Sequence, residues 1–88
     1  MKVNHSNNRF YIKTPYGNAE LLYKINGNVM SIYHTFVPEK ERGKGISKEL
    51  AAAAFAFAKK NKLKVSPDCS YIKHYVELNK ELKEIIEQ

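Results

Sequence analysis

Apolar and polar positions along the chain change their spacing twice. Arg9-Phe-Tyr-Ile-Lys-Thr14 has the aromatic and β-branched content of a strand, and Pro15-Tyr-Gly17 breaks it. Ala19 to Ile25 reads as a second strand. Asn26-Gly27-Asn28 supplies residues that accept positive φ, the chemistry of a tight hairpin turn, and Val29 to Val37 follows as the partner. A period of two puts Met30, Ile32, His34 and Phe36 on one face of that third strand, with Val29, Ser31, Tyr33, Thr35 and Val37 on the other. Both sets contain apolar residues, which predicts a strand inside the sheet. Pro38 has no N–H for a ladder, so the strand is expected to end there.

The spacing then lengthens. Ile46, Leu50, Ala53, Ala54, Phe57 and Ala58 recur at helical intervals, which predicts a central helix ending around Lys60 to Lys62. Phe55 falls opposite this stripe and must meet a second layer or lie exposed, for example at a self-association surface. Leu63 to Ser66 is short and β-prone, Pro67-Asp68 interrupts it, and Ile72, Tyr75, Val76, Asn79, Leu82, Ile85 and Ile86 trace a terminal helix. Asn4 to Asn8 is polar, and residues 1–8 are expected to fray. Strand, helix and strand in succession make a βαβ unit, whose strands run parallel with a right-handed connection. The expected fold class is therefore α+β: a mixed, mostly antiparallel sheet with a central βαβ unit and a C-terminal helix.

Length and composition narrow the setting. At 88 residues with 43% hydrophobic content, the chain is read as a single domain, 1–88, able to bury its own core. The longest uncharged apolar run, Leu50 to Ala58, is far short of the ~20 residues of a spanning helix, and no membrane partner is expected. The opening Met-Lys-Val-Asn-His has no secretory pattern, so a cytoplasmic location is expected. Cys69 is the sole cysteine, which excludes an internal disulfide. His5 and His74 are isolated, and no spacing of His, Cys and carboxylates suggests a metal.

Charge is where the chain becomes specific. The net charge is +6, and the segment from Lys40 to Lys64 has eight basic residues against two acidic ones. Such a concentration suits a polyanion, either nucleic acid or a phosphorylated cofactor, or else a solvated helix face. At its start stands Val37-Pro-Glu-Lys-Glu-Arg-Gly-Lys-Gly-Ile-Ser47, joining a strand end to a helix start. Free backbone N–H groups and the positive end of the helix dipole converge at such a junction, which is an anion site. Gly43 and Gly45 remove Cβ atoms from the approach, while Arg42 and Lys44 add charge, the former as a fork suited to phosphate oxygens. The spacing does not match a P-loop, a dinucleotide fingerprint or an aromatic RNA-binding motif, which makes nucleic acid the weaker expectation.

Arg42-Gly-Lys-Gly45-Ile-Ser47 resembles the Arg/Gln-x-x-Gly-x-Gly/Ala signature of the GCN5-related N-acetyltransferases. His34-Thr-Phe-Val-Pro38 before it, and Pro67-Asp-Cys69-Ser-Tyr71 with Tyr75 after it, look like the small stand-alone type of that family. The resemblance runs from the second strand onward. It implies the minimal acyl-CoA N-acyltransferase fold, with acetyl-coenzyme A and an amine, on a small molecule or a protein lysine, as partners. It also implies that amides from Gly43 to Ser47, including Ile46, hold the pyrophosphate, that Phe36 and Val37 pair with the pantetheine arm, and that Cys69 lies near the thioester. Arg42, Lys44 and Tyr71 complete the implied cofactor set. Ser47 replaces the usual Gly or Ala and leaves room for phosphate. Phe36 stands where the family often has Glu, so a carboxylate that accepts a proton or binds the amine is missing there.

Three residues are candidates for the chemistry. Cys69 could take the acyl group or protonate the leaving thiolate, and could equally be a small buried hydrophobe. Tyr71 and Tyr75, four apart, share a helix face, and the phenol of Tyr75 could protonate departing coenzyme A or simply pack. His34 could act as a base, or be an ordinary packed or exposed strand residue. The expectation is an acetyl-coenzyme A-dependent N-acetyltransferase, monomeric or weakly dimeric. A coenzyme A-binding module without transferase activity and a basic nucleic-acid binder are the rivals.

Overall fold

In the computed structural model, which describes residues 1–87, five strands form one sheet in chain order. β1 (Asn4–Ser6), β2 (Arg9–Thr14), β3 (Gly17–Asn26) and β4 (Val29–Phe36) form an antiparallel meander. Two-residue loops join them, and the last has positive φ at Gly27, the first loop position, as a type II′ turn requires. Helix α1 (Ile46–Lys60) then crosses to β5 (Lys64–Pro67), which pairs parallel with β4, and α2 (Ser70–Leu78) follows. The mixed, mostly antiparallel α+β sheet with a βαβ unit expected from the sequence is the architecture found.

Both helices pack on one face of the sheet. Phe10, Ile12, Ala19, Leu21, Tyr23, Met30, Ile32 and Val65 rise from the strands to meet Leu50, Ala51, Ala54 and Ala58 of α1, all of them buried. The alanines let the helix lie close to the sheet. Phe55 points away from the sheet yet is buried, its ring stacked on Tyr75 of α2 with centroids 5.7 Å apart. The second-layer reading of Phe55 therefore holds, and a ring in that position offers no self-association surface. α1 ends where Leu63 N–H reaches back to Ala58 O at 2.8 Å and Lys62 N–H to Lys59 O at 3.2 Å, a Schellman motif. Lys62 takes the left-handed position with φ 57, which glycine normally fills.

Three expectations need correction. Residues 4–6, expected to fray, form β1: His5 stacks on Phe10 with centroids 4.1 Å apart, meets the edge of Phe57 at 4.8 Å and hydrogen-bonds Tyr23 Oη at 2.5 Å. All three partners are remote in sequence or across a hairpin, so local polarity concealed them. The terminal helix is not continuous. Asn79 turns its side chain back to donate to Tyr75 O at 2.8 Å and leaves helical geometry, and a 3₁₀ segment, Lys80–Ile85, continues the apolar spacing to the buried Leu82. Ile86 then bridges Val65 at the outer edge of β5.

The third correction concerns β4. Its pairing with β3 runs Asn26↔Val29 to Tyr23↔Ile32, and resumes at Leu22↔His34. Tyr33 is the extra residue of a β-bulge, and one extra residue exchanges the two faces beyond it. Met30 and Ile32 face the core as expected, whereas His34 and Phe36 are exposed, and Thr35 and Val37 take the inward positions instead. The simple period of two placed these four residues on the wrong faces.

Where β4 meets β5, the Asp68 carboxylate accepts hydrogen bonds from Ser31 Oγ at 2.6 Å and Ser66 Oγ at 2.8 Å. These hydroxyls stabilise the charged form and hold its pKa below the usual carboxylate value. A carboxylate with a lowered folded-state pKa stabilises the fold fully above its unfolded-state pKa, and that contribution is lost as pH falls through the folded-state value. In urea titrations, Asp68→Asn is expected to be less stable than the wild type at neutral pH. The gap should be small, because Asp68 is exposed, and should close in acid. Lys62→Gly relieves the left-handed strain at the end of α1 and is expected to raise stability by about 0.5–1 kcal/mol, read from the same midpoints.

Candidate functional site

The parallel ladder between β4 and β5 stops at Ile32↔Pro67, with Asp68 N–H donating to Ile32 O at 3.0 Å. β4 runs on to Phe36, so the edge of residues 33–36 that faces away from β3 has no strand beside it among the described residues. Pro38 then opens a 3₁₀ turn, Glu39–Glu41, and the chain passes through Arg42–Gly45 into α1. Gly43 and Gly45 both take the left-handed conformation, with φ of 83 and 79. Gly45 caps α1 without a side-chain hydrogen bond, and the first helical bond closes from Glu49 N–H to Gly45 O at 3.1 Å. The N–H groups of the first turn are thus left free at the positive end of a 15-residue helix.

These N–H groups border a cleft of about 260 Å³ that Val37, Arg42, Gly43, Gly45, Ile46, Ser47, Lys48 and Tyr71 line together with Glu41. The structure therefore gathers most of the expected cofactor set in one place. Nothing lies within 4 Å of where a Cβ on either glycine would stand, so backbone conformation and not crowding requires glycine here. Two cations of the loop are already engaged. Arg42 Nε donates to Val37 O at 3.1 Å, latching the loop to the end of β4. Lys44 Nζ pairs with Glu41 at 3.0 Å and does not line the cleft.

Glu41 is buried to 6% exposure, the only buried charged residue among those described, and sequence reasoning passed over it. Its one available signal was Lys44 three residues on, the spacing of a turn-stabilising pair. Lys48, one turn into α1, takes the place beside the cleft that Lys44 was expected to fill.

Cys69 caps the start of α2, half-buried, with Sγ 3.4 Å from Thr35 Oγ1. That contact exists because the bulge turns Thr35 inward, a role that the stretch His34-Thr-Phe-Val-Pro38 did not indicate for it. Tyr71 lines the cleft, and Tyr75, with ring centroid 6.2 Å from that of Tyr71, lines an adjoining groove of about 380 Å³ with Lys48, His74, Leu78 and Asn79. Burial pushes the pKa of both phenols above the ordinary tyrosine value, aided by the other tyrosine at Tyr71 and by Glu81 at Tyr75, so both keep their protons at neutral pH.

His34 and Phe36 lie on the opposite, uncovered face of the sheet, in rows set by strand register: Arg9, Leu22 and His34 across one, Tyr11, Glu20 and Phe36 across the next. Glu20, cross-strand to Phe36, is engaged by Arg9 at 3.4 Å. Sequence-expected His34 is therefore not brought together with Cys69 and Tyr75 on the helix face. Among the described residues no group of three His, Cys, Asp or Glu side chains could hold a metal ion.

This arrangement has close counterparts. The family described as GCN5-related N-acetyl-transferase matches residues 9–85. Proteins named NATD1 from Gallus gallus and Homo sapiens are 44% identical over 62 residues, which is 69% of this chain and 56% and 55% of theirs. The chain thus spans little more than half the length of these relatives. The NMR solution structure of a GCN5-like protein from Staphylococcus aureus superposes with a TM-score of 0.80 at 29% identity, covering 98% of this chain and 87% of that one. Sequence match and shared architecture agree: the chain belongs to the GCN5-related N-acetyltransferase family.

Proposed function

We propose that the protein binds acetyl-coenzyme A and transfers the acetyl group to an amine. The observation that carries this reading is the direct continuation of an unpaired strand edge, β4 residues 33–36, into a glycine-built helix start. An extended, amide-bearing arm attached to a pyrophosphate fits those two features in that order: the arm adds to the free edge by main-chain hydrogen bonds, and the phosphates meet the free N–H groups of Ile46, Ser47 and Lys48. Ser47 adds a hydroxyl and Lys48 a charge at the same cleft. Arg42 acts by shaping the loop through its bond to Val37 O. Glu41 holds Lys44 beside it, which keeps a carboxylate near bound phosphate from standing as an uncompensated negative charge.

In the reaction, the amine nitrogen forms a bond to the thioester carbonyl carbon and the C–S bond breaks. The nitrogen gives up one proton and the departing sulfur takes one. Cys69 sits at the free edge of β4 through its contact with Thr35, and we assign it to the neighbourhood of the thioester. The protonated phenol of Tyr75 is the proton source for the sulfur in this scheme, with Tyr71 forming the wall between the two. His34 faces the uncovered side of the sheet, from which an acceptor can reach the edge of β4 without displacing the coenzyme, and it is the candidate base there. Phe36 supplies no carboxylate on that face, and this favours the second reading, a coenzyme A-binding module without transfer.

Calorimetric titration with acetyl-coenzyme A tests the shared part of both readings. The wild type is expected to bind, and Gly45→Glu to lose tenfold or more, because it forces a side chain into a left-handed φ of 79 and sets a negative charge at the helix start. Absence of wild-type binding would sink both. Thiol release with a panel of polyamines, amino acids and lysine peptides then separates enzyme from module. Tyr75→Phe is expected to slow release by about a hundredfold, the lower end of what a positioned proton donor contributes, and Cys69→Ala by a smaller factor. Full-rate release by either variant would remove that residue from the chemistry.

A further inference from the structure

The uncovered face of the sheet carries one group that the reaction scheme leaves unused, the carboxylate of Asp68. Ser31 and Ser66 pair across β4 and β5, between the buried pair Met30 and Val65 and the buried Ile32, so both hydroxyls point to that face. Each donates to the same oxygen of Asp68, Oδ2, which leaves Oδ1 of this exposed residue without a hydrogen-bond partner among the described residues. The backbone is fixed as well, because Asp68 N–H closes the last rung of the ladder on Ile32 O at 3.0 Å. A carboxylate oriented through one oxygen and open on the other is preorganised to accept hydrogen bonds from a cation. Glu20, also a carboxylate on that face, is already engaged by Arg9 at 3.4 Å. The same face presents two exposed rings on the free stretch of β4, Tyr33 and Phe36, and the ammonium of Lys24 stands 5.6 Å from the centroid of Tyr33. Ring faces beside a carboxylate suit an alkylammonium.

We infer that Asp68 anchors the acceptor by an ammonium group other than the amine that reacts, so that the acceptor is an aliphatic diamine or polyamine. This rests on the transfer reading above and narrows its acceptor. Asp68 directly precedes Cys69, which touches the free edge of β4 through Thr35, so a cation on Oδ1 lies one residue from the neighbourhood assigned to the thioester. The reacting nitrogen must shed its proton before it attacks, whereas a carboxylate favours the protonated form. The group held at Asp68 is therefore the one that does not react. The uncovered face thus receives from the end of β5 the carboxylate that Phe36 does not supply from β4. Lys24 and Lys73 are close enough to act on Asp68, but among the described residues neither forms an ion pair with it. They leave Oδ1 available and oppose an incoming cation only through their like charge.

The test is an NMR titration of the full chain saturated with coenzyme A, so that no acetyl transfer occurs, with putrescine, spermidine and butylamine. Butylamine has the carbon chain of putrescine and lacks its second nitrogen. The wild type is expected to bind at least one of the two polyamines about tenfold more tightly than butylamine, the size of one charge-assisted hydrogen bond. Asp68→Asn should bring that ratio close to one with butylamine unchanged, and Asp68→Glu should restore part of it. Lys24→Gln removes a like charge and should tighten polyamine binding by about twofold. Equal wild-type affinities for the three amines, no binding by any of them, or a ratio that survives Asp68→Asn would overturn the inference while leaving the coenzyme reading intact. Equal weakening of all three by Asp68→Asn would make the residue structural and overturn it too. Failure of the wild type to bind coenzyme A would overturn the coenzyme reading itself, and this inference with it.

Discussion

One extra residue in β4 organises this molecule. Side chains alternate strictly along a strand, so Tyr33, which has no partner on β3, exchanges the faces of everything after it. Before the bulge, Met30 and Ile32 fill the core. After it, Thr35 and Val37 turn toward the helices, while His34 and Phe36 turn away. The same stretch outruns β5, whose ladder ends opposite Ile32. The result is a strand that is structural in its first half and presents a free edge in its second, with Cys69 drawn to that edge by Thr35. Without the bulge the inward positions would belong to His34 and Phe36, and the bulk of Phe36 would occupy the space beside Cys69.

The basic character of the chain is distributed differently from its appearance in the sequence. Arg42 is spent on Val37 O, Lys44 on Glu41, and Lys64 on Glu84 O at 2.9 Å. These cations order a loop or tie the C-terminal segment to the sheet. The proposed anion site therefore depends chiefly on backbone N–H groups and the helix dipole, which are fixed by glycine conformation and would cost no reorganisation when a ligand arrives. Lys48 is the cation of this segment that lines both the cleft and the groove. Since it projects from the first turn of a helix anchored by the buried Ile46 and Leu50, its position is set by the core.

Much of the fold was legible because it follows from local periodicity. The turn at Gly27, the helix stripe from Ile46 to Ala58 and the βαβ order each depend on neighbours a few residues apart. What was misread depended on distant partners. β1 is held by His5 against Phe10, Tyr23 and Phe57, and the C-terminal segment is bent by Asn79 and then drawn back to Val65. At the site, the loop residues were legible as a motif on one continuous stretch. Glu41 and Thr35 were not, since a carboxylate buried against a lysine and a threonine turned inward by a bulge leave no distinctive pattern.

By itself, the sequence determined where glycine must stand at the start of α1, which residues could build a core, and that a strand would lead directly into a glycine-built helix start. Those are properties of short segments, dictated by φ, side-chain volume and hydrogen-bonding groups. Tertiary structure decided the rest: which face His34 and Phe36 occupy, which cations remain for a ligand, and that Tyr71, Tyr75, His74 and Lys48 share one groove. Each of those outcomes turns on register between strands or packing between helices, where a single residue of offset reverses a side chain, and no local pattern records that offset.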